Sequence, residues 1–183
     1  MGPPGDGMVA LRSLIIGAAI ALALSGTAAA NYVFFFRPVG DWEIVCSRNM
    51  QTNQRGCRLS APRPSFSYRL APNVLEVREW APDRFQVIVT VRDQVVSDTP
   101  LSLRVDNLEI HEAPIKNGLA WWDGEEARTI IIQMVAGKKV TYRTQTYPDG
   151  LPHDVRVSVV TFRRALQIYR GVIRSHGLLQ ESH

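Results

Sequence analysis

Two cysteines, Cys46 and Cys57, are all that this sequence has. Two thiols cannot complete a four-ligand zinc site, and no histidine stands near them to supply the rest. The four histidines, His111, His153, His176 and His183, fall at no spacing that would set two on one helix face. His111-Glu112 and His153-Asp154 place an imidazole beside a carboxylate, but adjacent residues on a strand point to opposite faces. No catalytic residue, metal or cofactor is therefore expected, and the chain reads as a non-enzyme. Also missing is any basic run interleaved with aromatics. The 21 cations, 18 of them arginine, are scattered among 17 carboxylates for a net charge of +4. That pattern speaks against nucleic acid as a partner and leaves anionic lipid headgroups or an acidic protein open. There is no internal repeat.

Charge is absent altogether from residues 13–36, 24 residues between Arg12 and Arg37. A helix rising 1.5 Å per residue needs roughly 20 residues to cross the hydrocarbon core, so this stretch is long enough to span. It also fits a signal peptide, with Arg12 ahead, an apolar run from Leu14 to Leu24, and small residues ending at Ala28-Ala29-Ala30. The expectation is therefore either a transmembrane anchor over 13–36, following a cytoplasmic segment 1–12, or a signal peptide cut after Ala30. Met8 is an alternative start. Tyr32, Phe34, Phe35 and Phe36 are expected to contact the membrane as an interfacial aromatic belt, which favours retention. Both readings export the body that follows.

From Gly40 onward short β-rich segments are divided by turn residues. Strands are expected at 42–47, 57–61, 74–80, 85–92, 101–105, 108–111, 139–146 and 155–162. Val155, Val157, Val159 and Thr161 share one face of such a strand, and Val87, Val89 and Val91 oppose Ile88 and Thr90 in another. Asn117-Gly118, Asp123-Gly124, Ala136-Gly137 and Asp149-Gly150 supply turns. The fold class expected is mainly β: an antiparallel β-sandwich over 40–166 with one short helix, preceded by the N-terminal hydrophobic helix. The short helix is the segment after Asp123, with a cap-like Asp, an acidic first turn and Gly137 at its end, although Thr129-Ile130-Ile131-Ile132 favours a strand. Residues 167–183 form a basic C-terminal tail. Leu166, Tyr169, Val172 and Ile173 recur there at helical spacing, as in a helix packed on the sandwich or presenting a basic face. An even cysteine count behind an export signal favours one disulfide, Cys46 to Cys57, in an oxidising compartment.

These residues resemble a known family. Gly40-Asp41-Trp42-Glu43 followed by Cys46, Cys57 and Leu59 is similar to the opening of the bacterial invasion associated locus B (IalB) proteins. The far end is similar too: Ala136-Gly137-Lys138, Tyr142, Gln145, Pro148, Asp149-Gly150, Pro152, Val155, Val157, Ser158, Phe162 and Ala165-Leu166. The resemblance runs from Gly40 to about Leu166. It implies an exported β-sandwich, a disulfide between the paired cysteines and a helix before the Ala-Gly-Lys turn. Members often carry a second cysteine pair about a central turn, and here Pro114 and Leu119 stand at those places. Members also commonly read as cleaved rather than anchored.

Trp121-Trp122 reads either as one indole in the core and one on the surface or as an aromatic anchor for a partner. With Arg163, Arg164 and Arg170 these tryptophans form the expected partner-binding set. The function expected is that of an envelope protein at the bacterial inner membrane, its single N-terminal span holding the sandwich in the periplasm. There it would dock as an accessory subunit on a larger integral membrane protein complex, for example respiratory or photosynthetic. The alternatives are a freely exported periplasmic or surface factor for adhesion or host-cell invasion, and a small-ligand carrier with an apolar cavity.

Overall fold

The computed structural model describes residues 31–61, 73–91, 99–146 and 148–178. The segment 1–30 lies outside these, and so does that part of the expected span. Ten strands and two helices follow in order: β1 (Asn31–Val39), β2 (Trp42–Asn49), β3 (Arg55–Ala61), β4 (Val74–Ala81), β5 (Arg84–Thr90), β6 (Leu101–Val105), β7 (Ile110–Ala113), β8 (Leu119–Asp123), α1 (Gly124–Ala136), β9 (Lys139–Thr146), β10 (Leu151–Ser158) and α2 (Phe162–Ser175). Every pairing is antiparallel, in a six-stranded sheet ordered β1-β2-β3-β4-β5-β8 and a four-stranded sheet ordered β10-β9-β6-β7. Among the described residues the chain is mainly β, with the short helix expected after Asp123 and a second helix where Leu166, Tyr169, Val172 and Ile173 recur at helical spacing.

Alternation fixes which face of each strand is buried. Trp42, Ile44 and Cys46 of β2 join Leu59, Val77, Val87, Val89 and Trp122 in a core shared with Leu103, Val105 and Tyr142 of the other sheet. Trp42 anchors the two sheets: its indole Nε1 donates to the Ser158 carbonyl at 3.0 Å, and its ring packs 4.7 Å from that of Phe162. The Gly-Asp before it makes the two-residue β1–β2 turn, Gly40 at φ +61°, the position where a II′ turn needs glycine. A Cβ on Gly40 would collide with the side chain of Thr161. Steric need thus accounts for the Gly-Asp-Trp stretch.

In α1, Ala127, Ile130, Ile131 and Met134 are buried at i, i+3, i+4 and i+7. Burying that stripe outweighs the strand propensity of the isoleucine run, which differs between residue types by only about 1 kcal/mol. Asp123 stands at the N-cap but its side chain makes no capping bond.

Four boundaries differ from expectation. Residues 31–36 are not the outer end of a membrane helix but most of β1, paired with β2 from Asn31↔Asn49 onward. A register shift between Val33 and Phe35 leaves Phe34 bulged, so that Phe34 and Phe35 both pack against the core while Phe36 is exposed. Three consecutive phenylalanines are thus accommodated by a bulged edge strand. The strand expected at 155–162 ends at Ser158, because Phe162 opens α2. The tail expected from 167 is the body of α2, where Phe162, Ala165, Leu166, Tyr169 and Ile173 are buried. The strand expected at 108–111 is Ile110–Ala113, and Trp121-Trp122 belong to a strand of their own, β8.

Candidate docking surface

Cys46 and Cys57 face each other across β2 and β3 and form a disulfide. It staples the hairpin whose turn, residues 50–54, lies at the same end of the sheet as Asn31. Pro114 and Leu119 flank a backbone-closed turn. Lys116 and Leu119 exchange both N–H···O bonds at 2.8 and 3.0 Å around Asn117 and Gly118, which both have positive φ.

Alternation separates the two tryptophans. Trp122 is 2% exposed and sits in the core, so its assignment as a docking residue is corrected: the indole is unavailable to a partner. Trp121, 38% exposed, faces the other side of the six-stranded sheet beside Leu119. There it ends a cross-strand row, Pro38, Glu43, Ser60, Glu76, Ile88 and Trp121, successive partners from β1 to β8. Within the row, the Ser60 hydroxyl donates to Glu43 at 3.3 Å, and Arg78 pairs with Glu76 at 2.7 Å. The row is buried at its centre and open at Trp121.

The three arginines lie on α2, which packs on the opposite face, so the structure does not gather them with Trp121 into one surface. Arg163 donates to the Val135 carbonyl at 3.4 Å, at the end of α1. Arg170 lies 3.1 Å from Glu79 and 2.6 Å from Asp83, with its guanidinium 4.8 Å from the Phe85 ring centre. These contacts make Arg170 a strut between α2 and the β4–β5 hairpin rather than a free docking side chain. Arg164 alone of the three makes no such contact among the described residues. It lines a cleft of about 220 Å³ with Arg37, Gly40, Thr161 and Ile168.

Under Arg170, the Tyr169 hydroxyl accepts the Glu79 backbone N–H at 2.9 Å, and burial pushes its phenol up to about 12. Tyr142, likewise raised by burial, donates to the Asn73 carbonyl.

The fold also makes one cluster that sequence adjacency did not signal. His111, buried on β7, has Glu126 of α1 at 3.4 Å from Nδ1, with Gln133 at 3.3 Å and Glu109 at 3.7 Å from Nε2. Its partner is therefore not the adjacent Glu112, and α1 is pinned to the four-stranded sheet. Among the described residues no group of three or more His, Cys, Asp or Glu is placed to share a metal ion. Nor is any helix there long and apolar enough to cross a membrane. An open cleft of about 470 Å³ is lined by Pro100, Glu112, Pro114, Ile115 and Lys116, among others. Its mixed lining does not match the apolar interior cavity that a small-ligand carrier needs.

No protein-family model matches the chain, and no curated protein does. Among solved structures it is similar to the crystal structure of invasion associated protein B from Bartonella henselae. The TM-score is 0.60 and the identity 17%, over 76% of this chain and 99% of that one. The resemblance read from Gly40-Asp41-Trp42 and the paired cysteines is thus matched in three dimensions, and the fold is that of invasion associated protein B.

Proposed function

We propose that this protein is a non-enzymatic envelope module. Its uncharged leader tethers it to the bacterial inner membrane, the sandwich faces the periplasm, and it docks as an accessory subunit on a larger integral membrane protein complex, respiratory or photosynthetic complexes being examples. The observation that carries this reading is the start of β1, where Tyr32, Val33 and Phe36 are exposed directly after the uncharged stretch in the sequence. A tether there would hold the sandwich against the bilayer in a restricted orientation, with exposed Tyr32, Val33 and Phe36 near the interface. Trp121 is the side chain assigned to the partner, because a half-exposed indole on an edge strand can be buried further by a docking surface. The test is copurification from detergent-solubilised membranes. Trp121→Ala should weaken recovery of the complex about tenfold or more while leaving thermal stability within about 1 kcal/mol. Unchanged recovery would remove Trp121 from the interface.

A second reading, a freely exported factor, is favoured by β1 itself. With residues 31–36 in the fold, the uncharged stretch left is 13–30, 18 residues ending at Ala28-Ala29-Ala30. As a helix it would be about 27 Å long, near the lower limit for crossing a hydrocarbon core of about 30 Å.

A further inference from the structure

The tip of the β2–β3 hairpin, beside the start of β1, carries positive charge only. From Ile44 to Ala61 the hairpin has no carboxylate and three arginines, Arg48, Arg55 and Arg58. Two of them, Arg48 and Arg55, are direct cross-strand partners at the last rung of the β2–β3 hairpin, and Arg48 is also the partner of Tyr32. Like charges directly opposite one another destabilise a strand pair, since their Cβ atoms stand about 5 Å apart. Neither guanidinium has an ion pair among the described residues, and the Arg48 Nε is buried without a hydrogen-bond acceptor. The C-terminal end of α2 is close, with His176 packed 5.3 Å from Phe34. A helix C-terminus offers only about half a negative charge against two full positive ones. The rung therefore holds two cations that no carboxylate among the described residues offsets.

The surroundings indicate which anion. The turn beyond the rung is held in shape, the Asn49 side chain accepting the backbone N–H groups of Gln51 and Thr52 at 2.9 Å each. It presents Met50, 59% exposed, while Tyr32 and Val33 stand 61% and 49% exposed at the adjacent start of β1. Arginines, a tyrosine and exposed apolar side chains at the point where an uncharged leader joins the body fit a bilayer interface, where aromatic and aliphatic groups enter the headgroup layer and arginines meet phosphates.

We propose that Arg48 and Arg55, with Tyr32 and Met50, form a contact site for the phosphate headgroups of anionic lipids, and that this contact orients the tethered sandwich on the membrane. It rests on the tethered reading above. The test is hydrogen–deuterium exchange of the full chain in nanodiscs of phosphatidylcholine, with and without phosphatidylglycerol. Amides of residues 49–54 should exchange more slowly in the anionic discs, by up to roughly thirtyfold if each arginine contributes as one near an anionic surface does. The protection should weaken at high salt and disappear in Arg48→Gln/Arg55→Gln, which removes only like-charge repulsion from the fold. Equal exchange in the two discs overturns the proposal. So does protection that survives the double substitution, or that needs an acidic protein rather than anionic lipid. If the leader proves to be cut off, the tether fails on its own. Co-sedimentation of the cut protein with phosphatidylglycerol vesicles then still decides the lipid contact, present if the site is right and absent if it is not.

Discussion

Replacing Arg170 with alanine separates a structural role from a docking role. In the fold Arg170 is 30% exposed and joins Glu79, 4% exposed, and Asp83, 78% exposed. Losing the Asp83 contact costs little, since exposed pairs contribute about 0.2–1 kcal/mol. Losing the Glu79 contact leaves a buried carboxylate unpaired, which costs about 3–5 kcal/mol for a fully buried pair. Because Arg170 keeps partial access to water, about 2 kcal/mol is the better figure here. The guanidinium over Phe85 adds about 0.5–1 kcal/mol. A loss near 3 kcal/mol should lower Tm by roughly 6–12 °C in a body of this size. Thermal and urea unfolding of Arg170→Ala, Glu79→Gln and the double variant would measure it. The double variant should lose less than the sum of the two, by about 1 kcal/mol or more. A Tm within about 2 °C of the parent with additive effects would refute the strut, and loss of partner binding alongside it would return Arg170 to the docking surface.

Three further outcomes are expected. The Tyr169 phenol, raised to about 12 by burial, keeps its proton in the folded state after the unfolded chain loses its own near 10. Its contribution is whole below pH 10 and is lost as pH rises to 12, about 1.4 kcal/mol per unit, so urea denaturation of Tyr169→Phe should show a shallower alkaline fall in stability. The same variant leaves the Glu79 N–H without its acceptor and should cost about 1–3 kcal/mol at neutral pH. Reduction of the Cys46–Cys57 bond should lower stability by about 2–4 kcal/mol in denaturant titrations with and without reductant. Gly40→Ala forces a left-handed φ on alanine and drives its Cβ into Thr161, so it should cost about 2 kcal/mol or more by thermal unfolding; a neutral effect would contradict the turn.

Legibility followed how local each signal was. The cysteine pair and the alternating valines of β5 could be read because each depends on neighbours a few residues away. The Phe34-Phe35-Phe36 run misled, since apolar aromatics before a body look alike whether they enter lipid or a sheet, and the bulge that turns Phe34 and Phe35 inward exists only in register with β2. α1 carried both a helix frame and a β-branched centre, and only the core beneath Ile130 and Ile131 decides between them. For α2 the apolar spacing was visible and a helix packed on the sandwich could be read from it, but not the role of its arginines; Arg170 finds Glu79 91 residues away, a distance no sequence window covers. The same holds for His111, whose two nearest partners, Glu126 and Gln133, come from α1 rather than from the adjacent Glu112.

The intact mass of the unreduced protein from membrane and periplasmic fractions tests the tether. A tethered protein has a mass counted from Met1 or Met8, lighter by the hydrogens lost in the Cys46–Cys57 bond, and is found in membranes after a high-salt wash. A mass counted from Asn31 in the soluble periplasmic fraction would contradict the tether and make this a freely exported protein whose chain starts at β1.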